Sequence, residues 1–171
     1  MAHYAQKIFF HTVKDKFPNN FKNVKVIDCG SLNVNGSLKD MFSDSEYKGV
    51  DIVAGDNVDE VCPIHKLKYK NEFDTVISGE MLEHDEYWKE SLLKMFNMCK
   101  SKGIIAISCA GKGRKEHGTI RSDGNEWGTG NYYMNIEPRH IQEIYKENMF
   151  IETYYEENDN TKDTYFYGVK K

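Results

Sequence analysis

Along the chain, apolar positions change their rhythm several times. Tyr4, Ile8, Phe9 and Val13 recur at helical spacing and predict a helix over 4–16. The rhythm then tightens. "VKVIDCG" (24–30) reads as a strand that breaks on an aspartate and a glycine, and a short helix is expected over 36–43. "YKGVDI" (47–52) predicts a second strand, "VDEVC" (58–62) a weak third and "FDTVIS" (73–78) a fourth.

The best helical pattern spans 85–100. Trp88, Leu92, Met95, Phe96 and Cys99 fall on one face, Asp85 is placed to cap the start, acidic residues lead, lysines trail, and Gly103 stands beyond the end. "GIIAISCAG" (103–111) is almost wholly apolar, as expected of a strand covered on both faces. A long glycine-rich loop fills 110–136, and "PRHIQEIYKENM" (138–149) starts a helix with Pro138 in its first turn. Two closing strands, "FIETYYEE" and "DTYFYGVKK", flank an Asn-Asp-Asn turn at 158–160.

Alternating strands and helices imply an α/β fold with an open, mostly parallel sheet and helices on both faces. The last two strands are joined by too few residues for a parallel crossover, so the sheet should end in an antiparallel hairpin. At 171 residues the chain is expected to form one domain, 1–171, with a leading helix within 1–20 and no internal repeat.

Composition narrows the class. A hydrophobic fraction of 39% with 29% charged residues fits a globular chain, and no apolar run is long enough to span a bilayer. The opening residues lack a secretory layout, which predicts a cytoplasmic protein. A net charge of −4 argues against bulk binding of long nucleic acid. Cys29, Cys62, Cys99 and Cys109 include no close pair, so they are expected as four buried thiols, and no metal site is expected.

In such sheets, ligands bind at the carboxyl ends of the strands near the point where strand order reverses. That rule selects four segments: the turn after 24–30, the region of Asp51, "SGEMLEH" (78–84) and the 110–136 loop. Gly30 follows a strand directly, where a missing side chain lets backbone approach a ligand. Asp51 comes roughly 20 residues later, where a carboxylate takes the two ribose hydroxyls of a nucleotide-like cofactor.

These segments together resemble the class I S-adenosylmethionine-dependent methyltransferases. "VIDCGSLNVNG" is similar to the family's first motif, "YKGVDI" to its second and "FDTVISGEMLEH" to its fourth, in the Leu-Glu-His form common among small-molecule methyltransferases. "GIIAISCAG" matches the strand that follows, so the likeness covers about residues 22–111. Leu32 and Val34 depart from it, standing where glycine is common, which predicts a bulkier turn set back from the cofactor's amino-acid end.

The resemblance implies a Rossmann-like methyltransferase fold and S-adenosylmethionine as cofactor. Asp28, Gly30 and the adjoining Ser31 would line its methionine portion. Asp51 would take the ribose, Ile52 would cover one face of the adenine, and Cys62 would stand near its edge. Ser78, Gly79 and Glu80 would form the pocket floor, His84 would organise the turn or take part in catalysis, and Trp88 belongs to the core.

The 110–136 loop is expected to be a substrate lid. Loops of this length are often functional, and it carries Arg114, Lys115, Glu116, His117, Arg121, Trp127, Tyr132 and Tyr133. His117 is the candidate base, with Glu80 or His84 behind it and Tyr133 nearby. The basic residues suit a small anionic methyl acceptor, on oxygen or nitrogen, with no membrane partner. Two alternatives stay open: a degenerate methyltransferase-fold binding module without catalysis, and an NAD-binding oxidoreductase.

Overall fold

The computed structural model describes residues 4–34, 36–124 and 128–171. Seven strands form one sheet: β1 (Lys25–Cys29), β2 (Glu46–Asp51), β3 (Glu60–Val61), β4 (Phe73–Gly79), β5 (Cys99–Ala110), β6 (Phe150–Asn158) and β7 (Asp163–Lys170). Their order is β3-β2-β1-β4-β5-β7-β6. β1 through β5 run parallel, and β7 lies antiparallel to both β5 and β6. This is the expected Rossmann-like architecture, a mostly parallel sheet closed by an antiparallel hairpin.

Helices cover both faces because the strands are apolar on both sides. Val26, Ile77, Ile104 and Ala106 pack with Phe9, Phe10 and Val13 of α1 (Tyr4–Lys16). Their strand neighbours Ile27, Val76, Ile105 and Ile107 point the other way, onto Leu92 and Met95 of α2 (Trp88–Met98) and Ile141 of α4 (Pro138–Ile144). Leu92 and Met95 are fully buried, and removal from water contributes about 2 kcal/mol for each. Trp88 belongs to this core, as expected.

Several boundaries differ from the sequence expectation. The helix over 36–43 is a single 3-10 turn, Lys39–Met41, because Leu38 and Met41 are its only buried apolar residues, with Phe42 half-buried against the core, and too few bonds remain to propagate a helix. α2 runs 88–98, not 85–100. Asp85 holds the entry from outside, accepting from the Tyr87 backbone N–H and the Ser91 hydroxyl. Gly103 does not end the helix: it lies inside β5, which starts at Cys99. Lys170 Nζ caps the helix instead, donating to the Phe96 and Cys99 carbonyls at 2.9 and 2.7 Å.

The helix expected over 138–149 stops at Ile144 and is followed by a 3-10 turn, Glu147–Met149. The hairpin turn occupies 159–162, with Asn158 Oδ1 accepting from the Asn160 and Thr161 amides, both at 3.0 Å. The 110–136 segment carries its own short helix, α3 (Ile120–Asp123), started by a Thr119–Ser122 capping box. Cys29, Cys99 and Cys109 are buried, but Cys62 is only half-buried, which corrects the expectation of four buried thiols. Among the described residues no helix is long and apolar enough to cross a membrane.

Candidate functional site

Strand order reverses between β1 and β4. The chain leaves β1 toward β2 and β3, then returns to place β4 on β1's other side. Polar ends of neighbouring strands diverge there, and a cleft of about 590 Å³ opens over them. Gly30, Asp51, Ile52, Cys62, Glu80, His84 and His117 all line it, so seven of the residues singled out from sequence meet around one cavity.

On the β1–β2 side the turn is tightly built. Gly30 has φ +86, and a Cβ there would lie 2.5 Å from Met81 Cβ, so both backbone and space exclude a side chain. Asp51 Oδ2 accepts from the Leu32 N–H at 3.1 Å and Oδ1 from the Val53 N–H at 3.3 Å. Each oxygen keeps a further lone pair for a ligand hydroxyl. Leu32 and Val34, the bulky residues of the turn, line the cleft beside it.

Asp28, Ser31 and Gly79 are set back from the main cleft, around a small cavity of about 20 Å³ that adjoins it at Gly30 and Leu32. Asp28 takes a short hydrogen bond from the Tyr47 hydroxyl, which Asn57 Nδ2 also contacts at 3.1 Å. Burial pushes the Asp28 carboxyl up to about 6 against the pull of that hydrogen bond. Ser31 Oγ donates to the Asn57 carbonyl at 2.9 Å. Ser78 is fully buried and gives its hydroxyl to the Cys29 carbonyl at 2.8 Å, so its side chain braces β1 against β4 and forms no floor to the cleft.

On the β4–β5 side the chemistry is different in kind. Glu80 follows β4 with φ +57, in the left-handed region. It is 7% exposed, and neither of its carboxylate oxygens finds a hydrogen-bond partner among the described residues. Glu83 is 0% exposed. Its Oε1 accepts from the Ala110 N–H at 3.2 Å, and its Oε2 has no partner. Burial, and then the Glu83 charge, push Glu80 up to about 8, and burial also raises Glu83.

His84 and His117 meet edge to face, 5.1 Å between ring centres. Gly118, at φ +66, makes room for His84: a Cβ there would fall 2.9 Å from the imidazole Cε1. Burial and the neighbouring His117 hold His84 down to about 4. His117 Nδ1 lies 3.1 Å from the Lys115 carbonyl, while its Nε2 faces Glu80 Oε2 at 3.7 Å and Glu83 Oε1 at 3.9 Å. Tyr133 does not line the cleft. Its ring packs edge-on behind both histidines, its hydroxyl donates to Lys115 O at 3.1 Å, and burial raises its pKa.

Residues 114–118, 123, 128 and 129 of the 110–136 segment line the cleft. Arg114 pairs with Asp163 and lies 3.5 Å from Glu80 Oε2. Further along, Gly128 sits beside Val53 and Ile52 beyond β2, where a Cβ would fall 2.7 Å from Val53 Cγ2, so described residues of the segment stand on both sides of the cleft. Arg121 pins it, bonding Glu116 at 2.7 Å and the Asn131 carbonyl at 2.8 Å. Trp127, expected in this segment, lies outside the described residues. Sequence reasoning missed His65 and Tyr87, whose rings meet at a tilt with 4.3 Å between centres in the cleft lining, because they belong to short turns without periodicity.

No protein-family profile matches the chain, and no curated protein matches it in sequence. Solved structures do share its fold. Phosphoethanolamine N-methyltransferase 2 of Haemonchus contortus, solved with phosphomonomethylethanolamine and S-adenosylhomocysteine, superposes with a TM-score of 0.68 at 16% identity, over 96% of this chain and 52% of that one. The 1,6-didemethyltoxoflavin-N1-methyltransferase of Burkholderia thailandensis, solved with its substrate and S-adenosylhomocysteine, gives 0.61 at 13% identity, over 99% and 92%. The [4+2]-cyclase SpnF gives 0.61 at 15% identity, over 88% and 61%. The fold is therefore that of the S-adenosylmethionine-dependent methyltransferases, and the chain spans about half the length of the Haemonchus enzyme.

Proposed function

We propose that the chain is an S-adenosylmethionine-dependent methyltransferase acting on an oxygen or nitrogen of a small, anionic acceptor. The observation that carries this is the placement of Asp51. Its carboxylate stands at the carboxyl end of β2 on the wall of the cleft, fixed by two backbone N–H groups with lone pairs to spare. That is the chemistry needed to take a pair of ribose hydroxyls. Neighbours of the same fold are solved with S-adenosylhomocysteine, which supports a sulfonium nucleoside as the occupant.

In this arrangement Gly30 lets the turn approach the methionine portion, Ile52 covers the adenine and Cys62 borders it. The methyl group would face the 110–136 segment, which acts as a lid, with Lys115 offering positive charge to the acceptor and Arg114 engaged by Asp163. The sulfonium already activates its methyl carbon, so in-line positioning is the main contribution asked of the protein, about 7–11 kcal/mol in favourable cases. His117 is the candidate base, with Glu80 and His84 beside it.

Calorimetry tests this directly. S-adenosylhomocysteine is expected to bind in the micromolar range, and Asp51→Ala to weaken it by about tenfold or more, roughly 1.4 kcal/mol. Binding of NAD instead would mark an oxidoreductase. A wild-type chain that takes up neither nucleoside would mark a binding module, a role that Leu32 and Val34 in the cleft wall would then explain.

A further inference from the structure

We propose that Glu80, Glu83, His84 and His117 form a binding site for a first-row divalent transition-metal ion at the acceptor end of the cleft. One ligand atom each from Glu83, His84 and His117 lie within 4.8 Å of one another. Glu80 Oε2 stands beside this trio, 3.7 Å from His117 Nε2 and 3.5 Å from the Arg114 guanidinium, and would complete the set on turning toward the ion. Ligands at about 2.0–2.2 Å from an ion stand up to about 4 Å apart, so the cluster needs only a small contraction to close on one.

The hydrogen bonds say what is missing. A backbone carbonyl only accepts, so the Lys115 contact places a proton on His117 Nδ1 and leaves Nε2 to face two carboxylates. The separations of 3.7 and 3.9 Å are too long for a hydrogen bond from a protonated Nε2 and leave room for an ion between the three atoms. His84 repeats the pattern: its ring is hydrogen-bonded to the Tyr132 backbone, and its Nδ1 has no partner among the described residues. One ring nitrogen on backbone and the other free is how ligating histidines are oriented.

The buried carboxylates carry the same message. Three oxygens of Glu80 and Glu83 lack a hydrogen-bond partner among the described residues, although Arg114 lies 3.5 Å from Glu80 Oε2, and both side chains are buried at the edge of the cleft. Paired imidazole and carboxylate donors suit Mn²⁺, Fe²⁺, Co²⁺ or Zn²⁺ better than Mg²⁺ or Ca²⁺, which favour oxygen alone. Glu80 holds a left-handed backbone, a strain of the kind found at functional sites.

The ion's role rests on the methyl-transfer reading above. An acceptor hydroxyl on the ion would lose its proton to solvent near neutral pH, so with the ion in place His117 holds the metal through Nε2 and is not the base. The oxygen's electron pair then forms the new bond to the methyl carbon as the carbon–sulfur bond breaks. The sulfonium keeps that pair and leaves as the neutral thioether S-adenosylhomocysteine. An oxygen acceptor is thereby favoured over nitrogen.

The test needs no cofactor. The full chain, stripped with chelator, is titrated with Mn²⁺, Co²⁺, Zn²⁺ and Mg²⁺ by calorimetry, and the Co²⁺ form is read by visible absorption. One transition ion per chain is expected, more tightly bound than Mg²⁺. His117→Ala and Glu83→Gln should weaken it by about tenfold or more. His11→Ala, on the exposed outside of α1, should leave it unchanged. The His117 side chain is 28% exposed, so its variant keeps the fold, which circular dichroism checks. Failure of every transition ion to bind below millimolar, or binding indifferent to His117→Ala, overturns the site. S-adenosylhomocysteine binding measured in parallel separates the two proposals: nucleoside without metal removes the site alone, and metal without nucleoside removes the methyl-transfer reading alone.

Discussion

The two walls of the cleft handle buried polarity in opposite ways. On the β1–β2 wall, Asp28, Tyr47, Asn57 and Ser31 satisfy one another. Asp28 takes the Tyr47 hydroxyl, and Asn57 Nδ2 reaches Tyr47, the Ser31 carbonyl at 3.0 Å and Ser37 Oγ at 3.2 Å. On the β4–β5 wall, Glu80, Glu83 and His84 hold polar atoms with no hydrogen-bond partner among the described residues, and Glu80 holds a strained backbone as well. A folded chain minimises such groups unless something outside it completes them. The first wall is architecture. The second is where the proposed ligand would bind, and the two should respond to mutation with opposite signs.

The largest effect is expected on the satisfied wall. Gly49 lies inside β2, and a Cβ there would meet the Asn57 carbonyl at 1.9 Å. Gly49→Val should cost about 3 kcal/mol or more in chemical denaturation, since the obstacle is backbone that cannot step aside. A loss below about 1 kcal/mol would show that the Asn57 turn is free to move and that the wall is not fixed as described.

Asp28 gives the same wall a pH signature. Its carboxyl is raised from an ordinary 3.8 to about 6, so the folded chain holds that proton more tightly than the unfolded one. The stabilisation is complete below the unfolded value and is lost as pH rises through about 6, about 3 kcal/mol in all. Asp28→Asn should flatten that part of the stability–pH curve, measured by thermal unfolding between pH 4 and 7. An unchanged curve would assign the slope elsewhere.

The smallest effect carries the contrary sign. Glu80→Gly relieves the left-handed residue and should stabilise the chain by about 1 kcal/mol, seen as a rise of a few degrees in Tm. Destabilisation would mean that Glu80 is satisfied after all and that the contrast between the walls is false.

Much of this was legible before any coordinates. The strands at 24–30, 47–52, 73–78 and 103–111 are apolar enough to be read directly, and the short link after Asn158 required the antiparallel pair. Boundaries that failed did so where a distant residue decides. The end of α2 depends on Lys170, which arrives from β7 to take the last carbonyls, and no local signal near Gly103 announces that. The 36–43 turn had helical spacing but too little buried surface to use it.

At the site, spacing within "GEMLEH" brought Glu80, Glu83 and His84 together because one turn of chain holds all three. The approach of His117 followed from loop position. Its orientation did not, since that depends on the Lys115 carbonyl. The Asp28–Tyr47–Asn57 network was not foreseen, although a glycine inside the second strand was a sign that backbone comes close there. The partner of Arg114, Asp163, lies on β7 and shows no sequence signal at all.

The sheet also divides the molecule into a working side and a blank one. α1 packs through Phe9, Phe10 and Val13 onto the face opposite α2, and none of its residues borders the cleft. Thr12 and His11 point outward there. A dye, spin probe or surface tether attached at those positions would report on the chain from behind, leaving the cleft clear, so that immobilised protein could be challenged with nucleosides and metal ions in turn on a single sensor.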